Sequence, residues 1–394
     1  MKKNIGVFFG GRSVEHEISI ISALQVIKAI DKNKFDITPV YITKEGIWYT
    51  GNWLMYIDNF KNFQELIKNS RKVIPSLNAN EGVLFSYPEG ILKSSKVITR
   101  IDVALPVFHG SYGEDGCFQG LFEIMNIPYA GSNVFSSAIC MNKSITKEIC
   151  KAINIPVIEY YRLDADSWFR DKEKSLAAIT ACFPYPLIVK PNDLGSSVGV
   201  SKATKKEELE NALDLSASYS NNILIERFVS AIKEVNCSVA ETPNGIEVSE
   251  CEEPIISGSD LLSFDEKYMS SGPSAEGMAG TKRKIPASIP AAQKEEIQAY
   301  ARRIFKHLDC SGVVRIDFIV DESTNQVYLN EINTIPGSLA FYLWEASDKK
   351  FTALISEIIE TAIKRFGKNN KVKKSFKSNV LFSVDGSKLS GKLM

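Results

Sequence analysis

The stretch that most constrains the fold is residues 312–337, GVVRIDFIVDESTNQVYLNEINTIPG. It reads as two short strands around a polar turn from Asp321 to Gln326. Side chains alternate faces along a strand, so Arg315 and Asp317 share one face of the first. Val314, Ile316, Phe318 and Val320 take the opposite, apolar face. Glu331 and Asn333 share a face where the second strand runs out. If the strands pair, a cation, two carboxylates and an amide converge over a packed core. Their hard oxygens suit magnesium, which keeps few protein ligands and shares the rest with substrate phosphates. Pro336-Gly337 then turns the chain and exposes a backbone N–H. Spacing alone leaves two readings open, a hard-metal site or the solvated edge of a hairpin.

The remaining text frames that hairpin. At 394 residues the chain has room for two or three domains. Forty-seven basic residues balance 47 acidic ones, which gives no support for nucleic acid or an acidic membrane as a partner. Seven scattered cysteines without a C-x-x-C argue against a disulfide framework or a zinc site. The start, MKKNIGVFFGGRS, has too short an apolar run for a secretory signal, and no run is long enough to span a bilayer. These features together read as a reduced, cytoplasmic protein.

Asn4–Phe9 reads as a strand, Gly10-Gly11 as a turn, and Ile18, Ile21, Leu24, Ile27 and Ile30 as one face of a helix. With a second strand at Asp36–Ile42 this is a βαβ unit, so a parallel sheet is expected. FGGRSVEH lacks the G-x-G-x-x-G of a dinucleotide site. Ser13 and Glu15 lie in the turn, where capping of the helix is one reading. Residues 44–100 are the least legible; Trp48, Tyr49, Trp53 and Tyr56 read as packing, and Tyr87-Pro88-Glu89-Gly90 as a turn. Asp102–Phe108 is another strand, ending in the loop HGSYGEDG. There His109 sits where parallel sheets bind ligands, and Glu114 and Asp115 read as helix caps.

Pro184–Lys190 is a strand followed by the glycine- and serine-rich NDLGSSVGV, whose backbone and hydroxyls can cradle phosphate beside Lys190. Asn222–Glu226 is an apolar strand running into Arg227-Phe228-Val229, and Glu234 opens the next strand. Residues 257–284, rich in Ser, Gly and Lys, read as a mobile lid, with Lys282-Arg283-Lys284 as solvated charge. Helices are expected at Pro290–Leu308 and Phe351–Phe366. The tail text GSKLSGKL nearly spells a P-loop but has Leu in place of Ser or Thr and no room for a helix, which excludes it.

Taken together, R-x-D, N-E-x-N-T-x-P-G, H-G-x-x-G-E-D-G and K-P before G-S-S-x-G resemble the ATP-grasp ligases, specifically the D-alanine–D-alanine ligase family, over residues 1–366. The resemblance implies an α/β chain, an ATP-grasp fold preceded by a parallel-sheet N-terminal domain. The expected domains are residues 1–131, 132–225, and 226–366 with a lid at 257–284, before a lysine-rich tail at 367–394. It implies ATP-dependent joining of two amino acids through an acyl phosphate, most readily D-alanine with D-alanine for cell-wall peptidoglycan, by a cytoplasmic homodimer. The alternatives are an ATP-grasp ligase with another second substrate and a nucleotide-binding protein without turnover; intact Asp317, Glu331 and Asn333 speak against the last.

Roles pass by resemblance onto matching positions. Asp317, Glu331 and Asn333 hold two magnesium ions, with manganese as a substitute, on ATP. Arg315 and the Gly337 N–H steady the oxyanion, and Glu15 binds the ammonium of the first amino acid, with His109 nearby. Lys143, Lys190 and Lys267 meet phosphates, with Ser197 in the loop between strands. Glu226, Arg227, Phe228 and Val229 form the adenine hinge, and Glu234 matches the ribose ligand. Tyr268 closes the site onto Glu15 and Ser196; tyrosine there goes with an amine as second nucleophile.

Two departures stand out. Ser230-Ala231-Ile232-Lys233 replaces a family glycine before Glu234, which weakens the ribose match. After Gly337 the family carries Ser-His-Ser and an apolar residue, the second Ser holding the carboxylate of the second D-alanine. Here Phe341 takes the place of the His, Tyr342 of that Ser, and Leu343 follows. Tyr342 and Leu343 therefore mark the second-substrate pocket, and the expectation is a reshaped pocket in which D-alanine is a poor second substrate.

Overall fold

Among the described residues the strands assemble into three sheets of seven, four and five members. This computed structural model describes residues 1–88, 94–255, 283–373, 378 and 380–383. The lid up to residue 282, part of the turn expected at Tyr87–Gly90 and the P-loop-like end of the tail lie outside the described residues.

The first sheet contains β1 (Lys3–Gly10), β2 (Phe35–Ile42), β3 (Trp48–Thr50), β4 (Arg71–Pro75), β5 (Val83–Ser86), β6 (Val97–Arg100) and β7 (Val103–Pro106). Its order is β6-β5-β4-β3-β2-β1-β7. Only β2-β1-β7 is parallel, built on the helix His16–Ala29 that the three-residue apolar step foretells. Residues 48–100 extend it with antiparallel strands. Trp48 packs edge-on against the core residue Phe8. Trp53 and Tyr56, expected to pack, are instead 39% and 64% exposed on a short helical connection and its end.

The second sheet, antiparallel, orders β10 (Ser201–Ala203), β9 (Leu187–Pro191), β11 (Asn222–Arg227) and β8 (Tyr160–Asp164). Leu187, Val189, Ile223 and Ile225 pack under helices with Trp168, Leu209 and Leu213. Strand alternation then turns Ile188, Lys190 and Glu226 to the other face.

The third sheet orders β14 (Arg283–Lys284), β13 (Gly245–Pro254), β12 (Ile232–Thr242), β15 (Val313–Asp321) and β16 (Gln326–Asn333). Val314, Ile316, Phe318 and Val320 form a core with Ile297, Ile304 and Phe305 of the helix Ala291–His307. The opposite face looks toward the second sheet. The helix Phe351–Asn369 buries Leu354, Ile355, Ile358 and Ile359 against the first sheet and runs beyond Gly367, where the tail was expected to begin.

Gly10 ends β1 at φ +90, and a Cβ there would lie 2.3 Å from the Ile42 carbonyl oxygen. Gly10→Ala must therefore either push β2 away or leave the left-handed region, a cost of about 1–3 kcal/mol before any clash. A fall of several degrees in the first thermal transition is expected, read by circular dichroism; an unchanged melting curve would contradict this packing.

Candidate active site

The hairpin sets the site. Arg315 pairs across with Asn333 and Asp317 with Glu331, and the register then slips between Asp317 and Phe318, leaving Asn330 as the extra residue. This bulge decides which face Glu331 occupies. Val327 and Leu329 point into the core, and strict alternation would send Glu331 there too. With one residue inserted, Ile332 returns to the core, Glu331 turns to the open face and the bulged Asn330 accepts a hydrogen bond from Lys190 Nζ at 3.2 Å. Arg315 grips Asp317 with two bonds of 2.7 Å, and Asn333 Nδ2 donates to Asp317 Oδ2 at 3.1 Å. Burial disfavours the Arg315 charge, but Asp317 outweighs it and holds the guanidinium well above its usual range.

Register carries this polar row further. Asp317 pairs with Asn236 on β12, and Asn236 with Glu252 on β13. Glu252, Asn236, Asp317 and Glu331 thus form one line across four strands.

Facing the row, the second sheet and the helix Lys143–Ala152 supply cations. Lys143 Nζ donates to the Leu194 carbonyl at 2.5 Å and lies 3.7 Å from Glu331. Glu226 is buried between Lys147 at 2.8 Å and Lys190 at 2.7 Å. Burial would raise its pKa, yet the two lysines bring the carboxyl down to about 2. Burial holds Lys143 and Lys147 below the ordinary lysine value. Lys147 was not anticipated, although it stands one helical turn from Lys143. The Glu226 side chain, expected to face the adenine amino group, already has a lysine on each oxygen. Ile158, Val229 and Ile319 make an apolar patch beside it, and Lys202 stacks on Phe228 at 4.1 Å. Arg227 turns to Glu159 at 3.1 Å. Ser197, Phe228, Val229, Glu234 and Glu331 line the same cleft as Lys143, Lys190 and Asp317. Glu234 lies on β12 two residues before Asn236, hence on the same face.

The first sheet closes the other end. Glu15 precedes the helix His16–Ala29 without capping it, and its buried carboxylate accepts from Ser196 of the glycine-serine loop. A Cβ on Gly110 would come 2.7 Å from Glu15 Oε2, so the loop needs glycine to close on that carboxylate. Glu114, expected to cap a helix, instead accepts from the Gly110 N–H at 2.8 Å and the Ile335 N–H at 3.3 Å. Burial and the nearby Glu15 push it up to about 8.

Gly337 enters a turn in which Ser338, Leu339 and Ala340 all have left-handed φ, at 51, 54 and 49. Each costs about 1–2 kcal/mol for a residue with a Cβ. The first sheet holds this turn: Ser338 N–H donates to Ser22 Oγ at 3.0 Å, and Ser338 Oγ bonds Gln25. Ser22 also bonds His109 Nε2 at 2.8 Å, and His109 hydrogen-bonds the Ile335 backbone. His109 thus braces the segment leading to Gly337. Burial lowers its pKa to about 4, so it is neutral at pH 7.

Beyond the turn the two aromatics part. Phe341 stacks on Phe351 at 4.7 Å and joins the core, and Leu343 is wholly buried. Tyr342 faces the polar row and donates to Glu252 at 3.0 Å. Arg283, read from the sequence as solvated, has a side chain only 10% exposed; it bonds Glu252 at 2.9 Å and stacks on Tyr342 at 3.8 Å. Nothing in the local text signals this, because the partners lie on another strand and on the helix Phe341–Glu345. Lys267 and Tyr268 lie outside the described residues.

Comparison with known proteins agrees over nearly the whole chain. Residues 4–132 match the family described as D-ala D-ala ligase N-terminus, and residues 149–360 that described as D-ala D-ala ligase C-terminus. A D-alanine–D-alanine ligase of Thermosipho melanesiensis is 42% identical over 380 residues, 96% of this chain and 98% of that protein. The VanG D-Ala:D-Ser ligase of Enterococcus faecalis superposes with a TM-score of 0.76 at 30% identity, over 92% of this chain and all of that one (100%). The D-alanine–D-alanine ligase of Coxiella burnetii gives 0.75 at 29%, over 94% and 96%.

The brace predicts a pH signature. A His whose pKa falls from 6.5 to about 4 on folding contributes stability that is whole above pH 6.5 and lost as the pH drops toward 4. Glu114, raised to about 8, acts oppositely: its contribution is whole below pH 4.5 and lost as the pH climbs through 8. The two slopes offset between pH 4.5 and 6.5, so the difference between wild type and His109→Gln is the quantity to measure. In urea melts, that difference should shrink by roughly 2–3 kcal/mol from pH 7 to pH 4.5. A constant difference would mean that His109 is not buried neutral.

Proposed function

This chain belongs to the D-alanine–D-alanine ligase family, and we propose on that premise how its residues divide the work. The protein is an ATP-dependent ligase that forms a C–N bond between two D-alanines through an acyl phosphate. The family reaction uses ATP and a divalent metal and acts on small amino acids.

The observation that supports the assignment of roles best is the polar row on β15 and β16 facing Lys143 and Lys190 across one cleft. The donors fit magnesium: Asp317, Glu331 and Asn333 are oxygen ligands on one sheet face. Each Asp317 oxygen keeps a further lone pair after Arg315 is counted, while Asn333 would need to present Oδ1 in place of the Nδ2 it now turns to Asp317. We assign these three residues to two magnesium ions, with manganese as a substitute. When bound, the metal supplies charge neutralisation and orientation for phosphoryl transfer.

Lys143 and Lys190 receive phosphate, with Ser197 and, by resemblance alone, Lys267. The Glu226–Val229 segment and Ile319 enclose the adenine, with Arg227 at its edge and Glu234 toward the ribose. Glu226 acts by holding Lys190 in place. Glu15, with Ser196 and Tyr268, holds the ammonium of the first amino acid so that its carboxylate lies toward the phosphate. Arg315 and the Gly337 N–H stabilise the oxyanion formed when the second amine attacks the acyl carbon. His109 positions the Gly337 segment. Tyr342 and Leu343 border the second-substrate pocket.

We further assign domains at residues 1–131, 132–225 and 226–366, a homodimer, and a cytoplasmic setting. No helix among the described residues is long and apolar enough to cross a membrane, and all seven cysteines are free, which supports a reducing compartment. Light scattering tests the dimer.

A second reading, another amino acid at the second site, is favoured by one observation, Tyr342 in place of the family serine. A panel of D-amino, L-amino and hydroxy acids offered beside D-alanine decides it.

With D-alanine, ATP and magnesium, phosphate release should match dipeptide formed. Glu331→Gln should lower kcat by about 100-fold or more while ATP still binds. Wild-type turnover in this variant at ordinary magnesium would remove Glu331 from the metal site.

A further inference from the structure

The second amino acid must present its amine to the acyl carbon, so its carboxylate needs a receptor of its own. In this chain the residue matching the family serine is Tyr342, whose hydroxyl is engaged with Glu252. A phenol carries a single proton, so the receptor must come from elsewhere.

Among the described residues, the cations near the row are few. Lys143 and Lys190 stand at the phosphate end, with Glu331 and Glu226. Arg315 gives Nε and Nη2 to Asp317, and the rest of its guanidinium is assigned above to the oxyanion. Arg283 stands at the opposite end, beside Glu252, the member of the row two strands from Asp317. Two strand spacings separate Glu252 from Asp317 by roughly 10 Å on one sheet face, and Arg283 reaches Glu252 from the next strand, β14. That is the reach of a small amino acid lying across the oxyanion position.

We propose that Arg283 receives the α-carboxylate of the second amino acid, with Glu252 and the ring of Tyr342 fixing its guanidinium in place. This rests on the ligase reading above and names the residue that confers acceptance of an α-amino acid at the second site. The construction is that of a receptor. Tyr342 stacks under the guanidinium at 3.8 Å, Glu252 holds Nη1 at 2.9 Å, and Asn236 Nδ2 braces Glu252 at 3.1 Å. An enclosed ion pair is seldom a good investment for stability alone. A guanidinium fork matches a carboxylate in two bonds where a hydroxyl offers one. Burial, followed by Glu252, pushes the Tyr342 phenol up, so it remains a neutral donor to Glu252. The bulky ring in the serine's place is the platform for its cation. The pocket is rebuilt with a different donor, and its selection for a carboxylate is independent of the acceptor's side chain.

The test uses the full-length enzyme with D-alanine at the first site and two acceptors, D-alanine and D-alaninamide, which lacks the carboxylate. The wild type should prefer D-alanine by about 100-fold or more in kcat/KM. Arg283→Met should raise KM for the second D-alanine by about 30-fold or more and reduce the preference to below about 10-fold. Formation of acyl phosphate, followed by positional isotope exchange in ATP, should stay within about 3-fold. Arg283→Lys should recover part of the preference, and Tyr342→Phe should keep most of it while weakening binding a few-fold. Equal use of the two acceptors by the wild type overturns the proposal without recourse to any variant. So does an Arg283→Met enzyme with unchanged preference. Dipeptide synthesis with equal acceptors sinks the receptor alone, whereas absence of any dipeptide from D-alanine strikes the ligase reading and the receptor with it.

Discussion

One inserted residue governs the site. Without the slip at Asn330, Glu331 would follow Leu329 into the core, and a buried carboxylate among Phe318, Ile316 and Phe305 would be too costly to keep charged. With it, the core regains Ile332, the open face receives Glu331, and Asn330 is left to bond Lys190. The third sheet is thereby joined to β9 of the second sheet. Register then does the rest, since Asn236 and Glu252 fall in line with Asp317 without further adjustment.

The buried charges follow a consistent plan. Glu226 lies between two lysines, Asp317 is gripped by Arg315, and Glu252 is held by Arg283 and Tyr342. Each carboxylate fixes a cation that would otherwise be mobile, so both ends of the cleft have their donors set in advance. Glu114 differs: its neighbours include Glu15 and Glu331, and it is raised where Glu226 is lowered. A net charge of zero over the whole chain therefore conceals strong local ordering.

Much of this was legible because the informative residues sit close in sequence. Arg315 and Asp317 are two residues apart on one strand, and alternation alone predicts their shared face. Glycine and serine beside Lys190 mark the loop, and the apolar step marks the helix His16–Ala29. The legible residues failed to disclose partners brought together by the sheets. Lys147 and Glu226 are far apart in the chain, as are Arg283, Glu252 and Tyr342. Glu114 and His109 read as a cap and a ligand neighbour, yet both tie the first sheet to the segment before Gly337. The bulge was visible in principle, in the change of parity from Leu329 to Ile332.

The helix His16–Ala29 begins at Glu15 and carries Ser22 and Gln25 seven and ten residues on, along one stripe. Glu15 lies at the glycine-serine loop, while Ser22 and Gln25 hold the left-handed turn after Gly337. A helix moves as a rod, so whatever shifts it at the Glu15 end also presses on the strained turn. Binding at one end and geometry at the other are then thermodynamically linked, and the linkage is reciprocal. Whatever changes the hold at one end of this helix changes it at the other by the same factor.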